Sequence, residues 1–386
     1  MSGPEFCRRP HGIRRGAALT LVFATVLATA AVAGVLPRED AEEPRRAQPA
    51  RAAGATVDRE GLARAAAEAM ADGKSGTEAA EQFVSRSGDR WGAVYDRREY
   101  EEFADALDGE YSGVGLGARR DAEGRVEVSE VQQDAPAARA GIRPGDLLLS
   151  VGGEEVAHRP VTEVVALLRG PEGTAVRLGL EREGRRFTAE LERVRLLTQS
   201  VTVRRLSREA VLIRVDAFTK GSGERVRRAV AEAPREAGVL LDLRGNPGGL
   251  VSEAVEAASA FLDGGLVATY DVRGEQRALY AEPGGDTRRP LVALVDGGTM
   301  SAAELVTGAL KDRGRAVTVG ARTFGKGSVQ MPSRLPDGSV AELTVGLYRT
   351  PAGHHVDGTG IAPDLAADER AEERAATVLG GLRGAS

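Results

Sequence analysis

Three apolar runs, VLIRVDAF (211–218), GVLLDLR (238–244) and LVALVD (291–296), each lead into a segment with helical patterning. The last two are apolar at consecutive rather than alternate positions, as a strand buried on both faces requires, and such strands occur where helices cover both sides of a largely parallel sheet. The helical patterns lie at 224–233, 250–262 and 301–311. This succession restricts the chain to an α/β layer and puts its chemistry at the turns where strands end and helices begin.

Upstream, Arg8, Arg9, Arg14 and Arg15 precede an uncharged run at 16–36. At about 1.5 Å per residue the run is long enough for a hydrocarbon core of roughly 30 Å. Basic residues on its N-terminal side keep that end in the cytoplasm. Residues 1–36 are therefore expected to be a membrane anchor, with the rest extracytoplasmic on the cell membrane, or a cleaved signal, since Ala31-Val32-Ala33 has a signal-peptidase form. The Pro, Arg and Glu-rich stretch 37–56 reads as a linker. From 57 to 110 the spacing of Leu62, Ala65, Ala66 and Met70, and then of Tyr100, Phe103 and Leu107, predicts short amphipathic helices, a packing and positioning element with no visible chemistry.

YSGVGLG (111–117), AGIRPGDLLLSVGGEEV (140–156) and an apolar helical stretch at 161–168 together resemble a PDZ domain of the bacterial protease-associated kind, expected over 111–195. The resemblance implies that backbone N–H groups around Gly113, Val114, Gly115 and Leu116 converge on a peptide's terminal carboxylate. A module that only bridges neighbouring domains is the alternative.

The formal charge of −5 argues against a nucleic-acid partner. Cys7 is the sole cysteine, and the four histidines, His11, His158, His354 and His355, form neither a zinc pattern nor a triad-like motif. No metal, nucleotide or organic cofactor is indicated. DLRGNPGGL (242–250) is either a tight turn or a way to aim backbone N–H groups at a developing oxyanion. Pro247 occupies the place a trypsin-like GNSGG gives its serine, which excludes that mechanism. Ser301 opens S-x-x-E, so it is either a helix cap or a nucleophile at a strand-to-helix turn. A nucleophile needs a base. Only four of the 52 basic residues are lysines, the one basic type whose proton burial removes. Lys326, between two glycines in TFGKGSVQ, is the candidate. A free lysine is neutral in only about one molecule in 2,500 at pH 7, and burial lowers its pKa by up to roughly 3–5 units. If 326–330 runs extended, Lys326, Ser328 and Gln330 share a face, and Gln330 accepts a hydrogen bond from the amine.

The succession of GVGLG loop, PDZ module, DLRGNPGG, GGTMSAAELVTGAL, RTFGKGSVQ and GTGIAPD resembles the carboxyl-terminal processing peptidases, or tail-specific proteases. The resemblance covers about 57–364. It implies a serine endopeptidase with Ser301 as nucleophile, Lys326 as general base, Gln330 orienting the lysine, and oxyanion donors on the N–H groups of Gly248 and Ala302. The implied fold is an α/β core of the ClpP/crotonase-like spiral kind over 196–365, with the PDZ domain inserted, an N-terminal helical segment and a helical tail at 366–386. The implied partners are protein or peptide substrates with free C-terminal tails. Thr299-Met300 departs from the family's common Ser-Ala before the nucleophile. A non-catalytic PDZ binder on a peptidase scaffold and a crotonase-like acyl-CoA enzyme are the other readings.

Overall fold

The computed structural model describes residues 57–272 and 275–384. The expected anchor and linker and Cys7 lie outside them. Among the described residues no helix is long and apolar enough to cross a membrane.

The α/β layer is present. A six-stranded sheet runs in the order Val201–Arg205, Ala210–Val215, Gly238–Asp242, Leu291–Val295, Val317–Gly320, Leu365–Ala366. Its first pairing is antiparallel and the remaining four are parallel. Every residue of Gly238–Asp242 and of Leu291–Val295 is buried, and the alternation of a strand divides them between two cores. Val239, Leu241, Leu291 and Ala293 pack with the helices Ser222–Glu232, Val251–Ser259 and Ala302–Asp312 on one side. Leu240, Val292 and Leu294 face the other way, against Ala371, Ala375 and Leu379 of the helix Ala371–Gly384. The C-terminal helix is thus the cover of the second face, and a Cβ at Gly238 would lie only 2.8 Å from the Leu379 side chain.

Beside this layer lies a five-stranded antiparallel sheet built around the long strand Val340–Arg349. Ser328–Arg334 and Ala93–Tyr95 both pair with that strand. The helices Arg59–Ala71 and Gly76–Ser87 bury Leu62, Ala66, Ala80 and Val84 in one core with Leu335, Ala341 and Leu343. The N-terminal segment is therefore packed on the hairpin that follows Lys326.

The PDZ-like unit has its own core, from Val114 to Leu191. Its sheet runs Leu116–Arg120, Val126–Val131, Leu147–Val151, Ala175–Arg182, Arg185–Glu192, with Glu154–Glu155 paired to the third strand. Leu116–Arg120 is an edge, and the helix Val161–Leu168 packs beside it. Where the chain enters and leaves this unit, Glu110–Gly113 pairs with Val194–Leu197.

The segment 326–330 departs from expectation. The strand begins only at Ser328, and its register shifts between Val329 and Gln330. A bulge interrupts the period of two, so Lys326 and Gln330 are not fixed on one face by simple alternation.

Leu379 is 1% exposed. Leu379→Ala is expected to cost about 2–5 kcal/mol, as large-to-small changes in a tight core do. Urea unfolding measures it, and a loss under about 1 kcal/mol would mean that the C-terminal helix does not hold the second face.

Candidate active site

The strands Gly238–Asp242 and Leu291–Val295 are parallel neighbours, so the turns beyond them meet. Hydrogen bonds lace the two turns together. Met300 N–H donates to the Asn246 carbonyl at 2.9 Å, and Gly245 N–H to the Asp296 carboxylate at 2.9 Å. The Thr299 hydroxyl donates to the Leu243 carbonyl at 2.9 Å. Asn246, wholly buried, donates its side-chain amide to the Val215 carbonyl at 2.9 Å. The Gly-Asn-Pro-Gly-Gly turn is thereby pinned against the start of the helix Ala302–Asp312.

Ser301 sits at that start with φ 53° and ψ −117°. A positive φ at a residue with a Cβ is strained by about 1–3 kcal/mol and persists only where its surroundings impose it. Here both of its backbone groups are held by side chains. Ser301 N–H donates to Glu304 Oε2 at 3.0 Å, and the buried Tyr348 hydroxyl donates to the Ser301 carbonyl at 3.0 Å. Glu304 N–H also donates to that carbonyl, at 2.9 Å. The S-x-x-E box is formed through the glutamate, with no cap bond of full hydrogen-bond quality on the Ser301 hydroxyl. A strained strand-to-helix turn that presents a serine side chain is the geometry of a nucleophile elbow.

Glu304 is 0% exposed. Besides Ser301 N–H it accepts the Thr323 hydroxyl at 2.6 Å, Gly325 N–H at 2.8 Å and Lys326 N–H at 2.9 Å. Burial pushes its carboxyl up, and these hydrogen bonds oppose that push. One oxygen, Oε2, takes both the Ser301 and the Lys326 backbone N–H. The two residues are thus held no farther apart, nitrogen to nitrogen, than those two bonds end to end.

Burial pushes the Lys326 ammonium down, while Glu342 and Asp89 pull it back up. Glu342 is itself pushed up by burial, against the pull of Lys326. Among the described residues Lys326 Nζ has no hydrogen bond or ion pair, and it lies 5.5 Å from the centroid of the Trp91 ring. Gln330 is nearby but does not bond the amine: its side-chain amide donates to the Trp91 carbonyl. His354 is exposed and lies 3.8 Å from Asp312, at the far end of the helix that Ser301 opens.

Gly248, with φ 101°, is so close to the serine that a Cβ there would lie 2.9 Å from Ser301 Cβ and 3.1 Å from Ala302 N. Only glycine fits. Its N–H donates to Asn246 Oδ1 at 2.8 Å, so that donor is already engaged. Among the described residues the N–H groups of Gly249 and Ala302 have no acceptor.

In the PDZ-like unit, Val114 is buried and its carbonyl accepts Ala137 N–H at 3.0 Å. Gly115 has φ 78°, and a Cβ there would lie 2.2 Å from Ala135 Cβ. Among the described residues the N–H groups of Val114 and Gly115 have no acceptor. Gly113 ends the strand Glu110–Gly113 and Leu116 begins the edge strand. Val114 and Leu116 lie with the PDZ-like core, apart from the core that holds Ala302.

Sequence reasoning missed Trp91, Asp89 and Tyr348. Trp91 is the only tryptophan of the chain and sits in a polar Gly-Asp-Arg-Trp-Gly loop, a signal of a placed aromatic. Tyr348 carries no such signal, because it falls on an apolar position of a strand.

The sequence profile of Peptidase family S41 matches residues 210–367, and that of the PDZ domain matches residues 127–182. A carboxy-terminal-processing protease of Bartonella bacilliformis is 31% identical over 289 residues, covering 72% of this chain and 66% of that protein. A probable CtpA-like serine protease of Staphylococcus saprophyticus is 30% identical over 303 residues, covering 77% of this chain and 61% of that protein. The chain thus spans about three fifths to two thirds of these relatives' own lengths. Among solved structures, the photosystem II D1 C-terminal processing protease is similar, with a TM-score of 0.51 and 29% identity over 76% of this chain and 82% of that one. A putative S41 protease from Bacteroides fragilis, at 16% identity and a TM-score of 0.52 over 79% of this chain and 90% of that one, shares the fold. With the α/β core, the inserted PDZ domain and the pinned serine turn in place, the chain belongs to peptidase family S41.

Proposed function

We propose that this protein is a serine endopeptidase that captures the C-terminal tails of extracytoplasmic proteins in its PDZ domain and cleaves them with Ser301 as nucleophile and Lys326 as general base. One observation carries the reading: a strained serine and a half-buried lysine hang from the same oxygen of one buried glutamate. A lysine held in its neutral form by burial accepts the serine proton as the hydroxyl oxygen attacks the scissile carbonyl, and later returns it to the leaving amine. The negative charge that develops on the carbonyl oxygen is met by Ala302 N–H and by the Gly248-Gly249 turn. Gln330 holds the lysine's surroundings through Trp91 rather than by a direct bond to the amine.

A peptide added along the free edge of Leu116–Arg120 gains main-chain hydrogen bonds, and the unengaged N–H groups of Val114 and Gly115 suit its terminal carboxylate. The extracytoplasmic site and membrane attachment rest on the arginine-flanked apolar run at 16–36. Intact Ser301 and Lys326 argue against a purely binding role.

Ser301→Ala and Lys326→Ala are each expected to abolish cleavage of an unfolded tailed protein with the fold retained, because members of a dyad act as a unit. In the active enzyme the rate should rise with pH, because the neutral amine is the working form, and the limb should lie below lysine's ordinary range, because burial lowers the Lys326 pKa. Glu342 raises that pKa, so Glu342→Gln should move the limb to lower pH. Activity in either alanine variant, or a limb that moves to higher pH in Glu342→Gln, would contradict the assignment.

Amidating the substrate's C-terminus removes a charge-assisted hydrogen bond of about 1.5–3 kcal/mol. Binding is expected to weaken by about tenfold or more, at 1.4 kcal/mol per decade. Equal binding and cleavage of amidated and free-acid tails would reduce the PDZ domain to a structural gate.

A further inference from the structure

Trp91 stands in the loop between the helix Gly76–Ser87 and the strand Ala93–Tyr95, in a segment whose sequence carries no visible chemistry. Four contacts converge on it. Its ring lies 5.5 Å from Lys326 Nζ, within the range of a cation–π contact. Its carbonyl accepts the Gln330 side-chain amide. Its indole N–H donates to Asp357 Oδ1 at 3.1 Å, the same oxygen that accepts Gly327 N–H at 3.1 Å. Its ring also meets Phe324 at 5.8 Å. Trp91 thus touches the chain at 324, 326 and 330, and reaches 327 through Asp357.

The loop is fixed to the strand Val340–Arg349. Asp89 Oδ1 accepts Trp91 N–H at 3.1 Å and Gly92 N–H at 3.0 Å, while the same carboxylate accepts Thr344 N–H at 2.8 Å and the Thr344 hydroxyl at 2.7 Å. The indole is therefore placed by a built anchor.

We propose that Trp91 is a positioning residue for the base: its ring shields the Lys326 amine from water and fixes its direction, and its carbonyl holds Gln330, so that the N-terminal segment completes the active site. The proposal rests on Lys326 being the base. The lysine is otherwise faced by Glu342 and Asp89. Arg90 lies over the same indole at 4.5 Å, Glu304 accepts the lysine's backbone N–H, and Asp357 accepts that of Gly327. All of these charges stay when Trp91 is replaced. Removing the ring has two opposed effects on the amine. Water entry raises its pKa, and loss of the cation–π contact lowers it. The ring lies against the amine and its loss opens a buried ammonium site to water, so the pKa is expected to rise.

Two readouts on the full-length protein test this. In the first, cleavage of a short peptide is followed against pH for wild type, Trp91→Ala and Trp91→Phe. Trp91→Ala is expected to lower kcat by about tenfold or more with KM little changed, as misplacing a catalytic group does, and to move the rising limb to higher pH. Both variants keep the backbone carbonyl, but Trp91→Phe also keeps a ring face and should return the limb toward wild type. In the second, the pH dependence of Lys326 modification by an amine-reactive reagent is mapped in a Ser301→Ala background, where catalysis plays no part. Trp91→Ala is expected to shift that titration upward, and thermal unfolding checks that the variant is folded. A fall in kcat with neither titration moved would make Trp91 a packing residue and overturn the proposal, as would no change at all. If the lysine titration shifts but Lys326→Ala still cleaves, the positioning of the amine stands and the assignment of Lys326 as the base fails.

Discussion

The site depends on one buried carboxylate. Glu304 belongs to the helix that begins at Ser301, yet it reaches across to Thr323, Gly325 and Lys326 on the segment leading to the neighbouring sheet. A buried acceptor with four donors is well satisfied, whereas a buried carboxylate without them would cost several kcal/mol. Removing any donor leaves the carboxylate less well satisfied, so the helix start and the lysine segment stabilise each other. Ser301 is held in its strained backbone conformation by the same carboxylate and by Tyr348 from the opposite side. The reaction proposed for this site uses that coupling: a serine in a strained turn, tied through one carboxylate to a lysine whose burial favours the neutral amine.

The electrostatics of Lys326 are a balance. Burial lowers its pKa, while Glu342 and Asp89 raise it. A lysine among carboxylates in water would stay charged, and burial opposes that here. Here the acidic groups are set on the strand Val340–Arg349 and on the N-terminal loop, with the Trp91 ring beside the amine. The PDZ-like unit has its own core, so the tail capture and bond cleavage proposed above would fall to separately packed parts of one chain.

Much of this was legible in the sequence. The consecutive apolar residues of GVLLDLR and LVALVD foretell a sheet covered on both faces, and both strands are buried throughout. Ser301 was legible as a cap or a nucleophile, and the proposal that it is the nucleophile draws on its backbone conformation rather than on its motif. What was not legible depends on contacts distant in sequence. Alternation placed Gln330 beside the lysine amine, but a bulge breaks the period, and the amide turns to the Trp91 carbonyl, 239 residues away. The N–H of Gly248 is engaged by Asn246, two residues earlier, through a turn geometry that glycine content alone does not specify. A helical tail at 366–386 was expected from the resemblance alone, and the role of the helix Ala371–Gly384 as cover of the sheet appears only when Leu379 meets Gly238.

The pairing of Ser301 with Lys326 is tested most directly by covalent labelling, which needs no knowledge of the physiological substrate. The protein is incubated at neutral pH with a serine-reactive fluorophosphonate, and the modified residue is found by peptide mapping in wild type and in Lys326→Ala. The account predicts a phosphonyl group on the Ser301 oxygen in wild type and its loss in the folded Lys326→Ala protein, because a serine activated by a neutral amine is inert without it. Labelling of Ser301 at an unchanged rate in Lys326→Ala, or labelling of a different serine in wild type, would contradict it.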